Sequence, residues 1–346
     1  MKYIRDDLKD FTPYLVEKKK YDIRLDANES FLKYNNEILQ KMCTALLKTD
    51  FNRYPDADAS KVCNLYLDYL GIKDVSIIAG NGSDELIQII ANTFLNNNDK
   101  VMMLDPDFSM YGVYTKLAKG NIIKFPLDDN FNINVDTLIN EINKNNVKIL
   151  FLSTPNNPTG NITKQDDLLK IINNSNCIVV VDEAYVEFYG ESIVNEINNY
   201  DNLIILRTLS KAVGLAAIRL GFLLTNNELY KQIYKAKPPF NVNSITQNLA
   251  TVVLENKDII QENINIILKE KEFLYSGLKK INDIKIYKSY SNFFLIECDN
   301  ASYINNLLET NGIKVRYFGK GRLKNYLRIN VGSREENISL LNVLSR

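Results

Sequence analysis

Between about residue 75 and residue 225 the chain alternates short apolar runs with amphipathic helical patterns, and that alternation leaves it very few folds. The runs are 101–104, 122–125, 147–152, 178–181, 203–206 and 220–224. Several are apolar at every position instead of alternating with polar residues, the pattern of strands covered on both faces. Between them, Asp84–Ile90 reads as a helix with acids in its first turn and Ser83 as its expected cap, and Gln165–Ile172 reads as another. Strands that alternate with helices build an α/β layer with a mostly parallel sheet.

The pattern changes near Lys237-Pro238-Pro239, a stiff segment that resists continuing a helix. Beyond it a long helical pattern over 245–281 reads as broken in two. Strands are expected at 284–287, 292–297 and 326–331, with helices at 303–311 and 335–344. That is a smaller α+β unit, and 346 residues suffice for two domains. The expected division is a large domain over 31–239, with 1–30 as an N-terminal arm and 240–346 as the small C-terminal domain.

Composition removes several classes of function. The 42 basic and 42 acidic side chains cancel, which argues against a dedicated nucleic-acid or membrane-surface binder. No apolar run approaches the roughly 20 residues that span a bilayer. The start, Met1-Lys2-Tyr3-Ile4-Arg5-Asp6-Asp7, turns acidic where a secretory signal would turn apolar, so a cytoplasmic location is expected. Cys43, Cys63, Cys177 and Cys298 form no CxxC motif and read as small buried hydrophobes. The chain has no histidine, which excludes His-based triads and His-ligated zinc, and no metal site is expected. Acid–base chemistry must come from Lys, Tyr, Asp, Glu, Cys or a cofactor.

Three segments carry that chemistry. In Thr208-Leu209-Ser210-Lys211, a lysine follows two hydroxyls and a buried strand, with Arg219 eight residues on. Alone, it could be a solvated loop charge. In Val181-Asp182-Glu183-Ala184-Tyr185, a carboxylate stands at the C-terminal end of a buried strand, where open α/β sheets bind ligands; alone, Asp182 could be a helix cap. Ser153-Thr154-Pro155-Asn156-Asn157-Pro158-Thr159-Gly160 ends another strand and alone could be a rigid turn. Together they fit pyridoxal 5'-phosphate, which needs a lysine amine for its aldehyde, an acid for its ring nitrogen, donors to its phenolic oxygen and a phosphate cradle. Lys211 supplies the amine, Asp182 the acid, and Tyr185 and Asn157 the donors. Ser210, Arg219, Thr208 and the backbone N–H groups of Gly82, Ser83 and Asp84 at a helix start form the cradle. Phe108 follows a strand and could stack on the ring or simply fill the core.

In order along the chain, these motifs resemble fold-type I pyridoxal-phosphate aminotransferases, and within them the histidinol-phosphate aminotransferase family. The resemblance rests on Leu25–Glu29, Arg53-Tyr54-Pro55-Asp56, Gly80–Glu85, Phe108–Tyr111, Asn156–Gly160, Asp182–Tyr185, the segment 206–221, Pro239–Asn243 and Leu327–Gly332. The chain departs from the usual pattern at Ser30-Phe31, in the loop over the substrate, and at Ala216-Ala217. The resemblance implies Lys211, Asp182 and Tyr185 as catalytic residues, Phe108 as the stacking residue, and a homodimer with shared active sites in which Tyr54 reaches its neighbour's site. It also implies substrate contacts from Asn28, Arg316 and Arg328, with Tyr54 and Tyr14 as phosphate candidates. The implied reaction is transamination between L-histidinol phosphate and 2-oxoglutarate, giving imidazole-acetol phosphate and glutamate, in histidine biosynthesis. An aromatic amino-acid aminotransferase and a threonine-phosphate decarboxylase are the alternatives on the same scaffold.

Overall fold

The computed structural model describes residues 3–9, 11 and 19–346. Among them are the strands β1 (Ile23–Leu25), β2 (Ser76–Gly80), β3 (Lys100–Asp105), β4 (Asn121–Pro126), β5 (Val147–Ser153), β6 (Ile178–Asp182), β7 (Leu203–Thr208), β8 (Gly221–Thr225), β9 (Lys285–Ile286), β10 (Phe293–Glu297), β11 (Ile313–Tyr317) and β12 (Tyr326–Asn330). Seven form one sheet in the order β2-β8-β7-β6-β5-β3-β4. Only β8 runs against the rest, antiparallel to both β7 and β2.

The uniformly apolar runs lie at the centre of this sheet, as their composition demands. Strands β7 and β8 are buried at every residue, and β5 exposes only Lys148. The edge strand β4 is mostly solvent-accessible and carries Lys124 and ends in Pro126, residues that discourage pairing with another chain. Helices cover both faces: Val135–Lys144, burying Leu138, Ile139 and Ile142, and Gln165–Asn174, burying Leu168, Ile171 and Ile172, share one core, and Gly82–Phe94 buries Leu86, Ile87, Ile89 and Ile90 in the other.

The second sheet has the order β1-β11-β12-β10-β9. Its outer strand β1 comes from the N-terminal part of the chain and pairs in parallel with β11. Helices Ser244–Leu254 and Asp258–Leu278 account for the helical pattern of 245–281, broken in two as expected, with the break at 255–257. Three strands went unread in the sequence: β2, β1 and β11. A fourth difference concerns the helix after β2. It begins at Gly82, with Asn81 in the cap position and no side-chain cap bond, so Ser83 lies inside the first turn and does not cap it. The Glu85 carboxylate accepts the Asn81 backbone N–H at 2.6 Å instead.

A buried ion cluster ties together the ends of β6 and β7. Arg207 donates from Nε to Glu183 at 2.8 Å, from Nη1 to Glu187 at 3.1 Å and from Nη2 to Ser192 Oγ at 2.9 Å. All three charged side chains are almost inaccessible to solvent. Arg207→Met would leave two buried carboxylates without their cation, and is expected to cost about 3–5 kcal/mol. Equilibrium urea denaturation checks this; an unchanged midpoint would show the cluster to be dispensable.

Candidate active site

Sheet polarity brings the site together. Strands β2, β3, β5, β6 and β7 all end at the same edge, and β8, running the other way, begins there. The segments that follow β2, β3, β5, β6 and β7, and the segment that leads into β8, hold Gly82–Asp84, Phe108, Asn157, Tyr185, Lys211 and Arg219 respectively. This is the edge at which open α/β sheets take ligands.

Asp182, the last residue of β6, is buried. Its Oδ2 accepts the Tyr111 hydroxyl at 2.7 Å and its Oδ1 accepts the Ala184 N–H at 3.0 Å. Burial pushes its carboxyl up to about 6, against the lowering effect of the Tyr111 and Ala184 bonds. The Ala184 bond resembles a local turn, yet Tyr111 and the depth of burial give the carboxylate a second, non-local fixture. Tyr111 is itself fully buried and stacks on Phe151 at 4.8 Å.

Lys211 follows β7 by three residues, and its Nζ donates to Ala27 O at 2.9 Å. Its side chain keeps some accessible surface, but the amine is surrounded by protein. Desolvation, helped by the positive charge of Arg328, brings it down to about 8. Its Nζ lies 5.9 Å from the centre of the Tyr185 ring. The Tyr185 hydroxyl accepts Asn28 Nδ2 at 2.7 Å, which leaves the tyrosine O–H available to donate elsewhere. Asn28 is 1% exposed with φ of 55°, a left-handed backbone that asparagine tolerates, and its Oδ1 is buried without a hydrogen-bond partner.

An anion cradle lies beside Lys211. Arg219 donates from Nη1 to Ser210 Oγ at 3.2 Å and from Nη2 to Asp84 Oδ2 at 3.2 Å. A Cβ on Gly82, whose φ is +79°, would stand 2.6 Å from Arg219 Nη2, so only glycine lets the guanidinium lie against the helix start. Thr208 belongs to the same cluster, but its Oγ1 is engaged locally, accepting Ser210 N–H at 3.1 Å.

Across the site, Arg328 of β12 donates from Nη1 to Asn157 Oδ1 and from Nη2 to Asp26 O at 2.6 Å. Arg316 of β11 stands directly opposite Arg328 in the antiparallel register. Directly opposed residues share a face, where two like charges repel, an arrangement that favours an anion between or beside them. Phe108 meets Tyr111 edge-on at 5.5 Å. Tyr54 is remote from these contacts: it is 82% exposed and stacks on Phe240 at 4.7 Å. Tyr14 lies outside the described residues.

Two residues went unrecognised in the sequence. Tyr111 orients Asp182, and Asp107 accepts the Ser153 hydroxyl and the Phe108 N–H. Burial holds the Asp107 carboxyl well above its ordinary range. The only sequence signal for either was proximity to Phe108, because their partners sit on other strands. Among the described residues no cluster of His, Cys, Asp and Glu could hold a metal, and no helix is long and apolar enough to cross a membrane.

Residues 21–344 match the aminotransferase class I and II family. The histidinol-phosphate aminotransferase of Clostridium novyi is 52% identical over 340 residues, covering 98% of this chain and 96% of that protein. That of Thermoanaerobacter pseudethanolicus is 42% identical, covering 99% and 97%. Among solved structures, the histidinol-phosphate aminotransferase of Sinorhizobium meliloti in complex with pyridoxal-5'-phosphate superposes with a TM-score of 0.86 at 21% identity, covering 94% of this chain and 91% of that one. The L-threonine-O-3-phosphate decarboxylase of Porphyromonas gingivalis superposes with a TM-score of 0.81 at 19% identity, covering 93% and 98%, so backbone shape alone does not separate the two chemistries. Identity along the whole length does, and this chain belongs to the histidinol-phosphate aminotransferase family of class I and II aminotransferases.

Proposed function

We propose that this protein is a pyridoxal-phosphate-dependent transaminase that exchanges an amino group between L-histidinol phosphate and 2-oxoglutarate, giving imidazole-acetol phosphate and glutamate in histidine biosynthesis. It acts as a cytoplasmic homodimer, with residues 31–239 as the cofactor domain and 1–30 with 240–346 as the arm and smaller domain. The observation that carries this reading is the meeting, at one sheet edge, of a desolvated lysine, a buried carboxylate and an arginine–serine cradle, facing two in-register arginines.

The donor set fits the cofactor. Asp182 is a buried carboxylate able to hold a protonated ring nitrogen, and the space a Cβ would fill at Gly82 is what brings Arg219 to the helix start as a phosphate ligand. When bound, the cofactor withdraws electrons from the substrate's α-carbon. The protein does the rest. Lys211 would hold the cofactor through its aldehyde, and its amine would serve as the base that takes the proton from the substrate's α-carbon and the acid that returns it. Tyr185 and Asn157 donate to the phenolic oxygen, and Phe108 covers the ring. Ser210, Thr208, Arg219 and the N–H groups of Gly82, Ser83 and Asp84 hold the phosphate. Arg328, with Arg316, holds the glutamate carboxylate or the substrate phosphate in the same fork, and Asn28 keeps Tyr185 aligned. Tyr54, exposed in one subunit, completes its neighbour's phosphate site, and Tyr14, outside the described residues, is a further ligand proposed for the substrate's phosphate.

On this reading, purified protein given glutamate turns over imidazole-acetol phosphate faster than phenylpyruvate, because only the former offers an anion to the fork. A preference for phenylpyruvate would identify an aromatic aminotransferase, and carbon dioxide release from phosphothreonine a decarboxylase. The desolvated amine gives a second test. Only neutral Lys211 attacks an aldehyde, so the rate at which apo-protein captures pyridoxal phosphate should rise through a midpoint near pH 8, not near the 10.5 of a free lysine. Stopped-flow absorbance reads this rate, and borohydride reduction followed by peptide mapping identifies the lysine. A midpoint above pH 10, or a label elsewhere, would remove Lys211 from the role.

Subunit sharing has its own test. Lys211→Ala and Tyr54→Ala subunits are mixed under conditions that exchange partners. If Tyr54 acts in trans, one site of each heterodimer combines an intact lysine with an intact tyrosine, and activity rises above both parents. No recovery would place Tyr54 in its own subunit's chemistry or outside it altogether.

A further inference from the structure

The helix Asp258–Leu278 buries Ile260, Ile264, Ile267, Lys271, Leu274 and Leu278, an apolar stripe at spacings of three and four in which one member is a lysine. Lys271 is only 7% exposed. Its Nζ donates to Ser289 O at 2.7 Å and lies 5.9 Å from the centre of the Phe294 ring. The hydrogen-bond partner is a neutral carbonyl, not a carboxylate, and burial brings the amine down to about 8. A leucine at this position would fill the stripe without desolvating a charge, so the lysine's worth lies in what it holds.

It holds a segment that touches the site in three places. Tyr290 N–H donates to Gly160 O at 2.7 Å, and Gly160 N–H closes onto Asn156 O at 2.8 Å, fixing the turn that carries Asn157. That turn packs so closely on the segment that a Cβ at Gly160 would lie 3.1 Å from the Ser289 Cα and 2.8 Å from its Cβ. Asn292 Nδ2 donates to Asn28 O at 3.3 Å, and Asn28 in turn holds the Tyr185 hydroxyl. Phe293 packs edge-on against Tyr185 at 5.3 Å and lies 5.3 Å beneath the Arg328 guanidinium. Within the segment, Ser289 Oγ donates to Phe293 O and accepts Ser291 N–H, so that its two ends move as one.

We propose that Lys271 is a positioning residue for substrate binding: by anchoring the segment Ser289–Phe293 it sets the Asn157 turn, Asn28 and the Arg328 fork relative to one another, and so tunes recognition of the substrate's anionic end. The functional consequence rests on the transaminase reading above, whereas the contacts do not. Two variants separate the possibilities. Lys271→Met keeps the stem in the apolar stripe and removes the amine. Ser289→Ala keeps Lys271 and its carbonyl partner but uncouples the two ends of the segment.

Both are measured as holoenzymes for glutamate KM and kcat, for thermal midpoint, and by calorimetry for binding of glutarate, a dicarboxylate with no amino group to react. The expected result is a rise of roughly threefold to thirtyfold in KM and in the glutarate Kd in both variants, with kcat at saturation changing less. A merely structural lysine would lower the thermal midpoint and leave KM and Kd within twofold of wild type, and that outcome overturns the proposal. If Lys271→Met shifts binding and Ser289→Ala does not, the coupling through this segment is wrong. Should Lys271→Met fail to fold, Ser289→Ala decides alone. Wild-type protein inactive with every keto acid would instead sink the transaminase reading, leaving the glutarate measurement to judge the anchor.

Discussion

The site depends on the direction of the strands. In a parallel sheet each strand hands its chain to a loop at the same edge, so residues more than a hundred positions apart meet there without a scaffold of their own. Asp84, Asp107, Asn157, Asp182 and Lys211 arrive in this way at or beyond the ends of β2, β3, β5, β6 and β7. The one reversed strand extends the logic. Because β8 begins at that edge, the residue two before it, Arg219, enters the same space as the loops that leave β2 and β7. An all-parallel arrangement would carry that arginine to the opposite edge, away from Ser210 and Gly82.

Burial then sets the chemistry. Desolvation moves both key groups toward neutrality, Asp182 up to about 6 and Lys211 down to about 8. The consequences differ. A carboxyl near 6 is still ionised at neutral pH and gains most when a cationic ring nitrogen comes within reach. An amine near 8 presents a useful neutral fraction at the same pH. Tyr111 and Ala184 prevent the larger rise that Asp182 would suffer if it were merely buried, so the hydroxyl that sequence reasoning passed over is part of what keeps the acid charged.

How much of this was legible follows from where each signal resides. The central strands announce themselves through unbroken apolar runs, since both faces are covered. Strand β2, Ser76-Ile77-Ile78-Ala79-Gly80, is short and ends in small residues, and β1 has three residues whose strand partner among the described residues, β11, lies some 290 positions away, so neither carries a local signature. Lysine, aspartate and asparagine at strand ends are readable because their chemical types are unusual beside a buried run. Tyr111 and Asp107 are not, since an aromatic in a first helical turn, or an acid in the loop before it, is ordinary until a neighbouring strand supplies its partner. The expected cap at Ser83 failed for a similar reason: the acid that satisfies the helix start, Glu85, also accepts from Asn241 at 2.7 Å, a contact no local pattern contains.

The two buried cations outside the site show how the same expense serves different ends. Arg207 is matched by two carboxylates and a hydroxyl, a closed cluster in which each of its three nitrogens is bonded and two neighbouring strands are fixed. Lys271 is matched by a carbonyl and an aromatic face, a weaker solution that holds one end of a segment and leaves the rest of that segment to contact the site. Arg328 stands between these cases. Its Nη1 is bonded to Asn157, a proposed donor to the cofactor, and a carboxylate arriving in a bidentate fork would engage the same guanidinium. On the proposed reading, substrate capture and cofactor contact meet at Asn157, whose turn is seated on the segment that carries Ser289 and Tyr290.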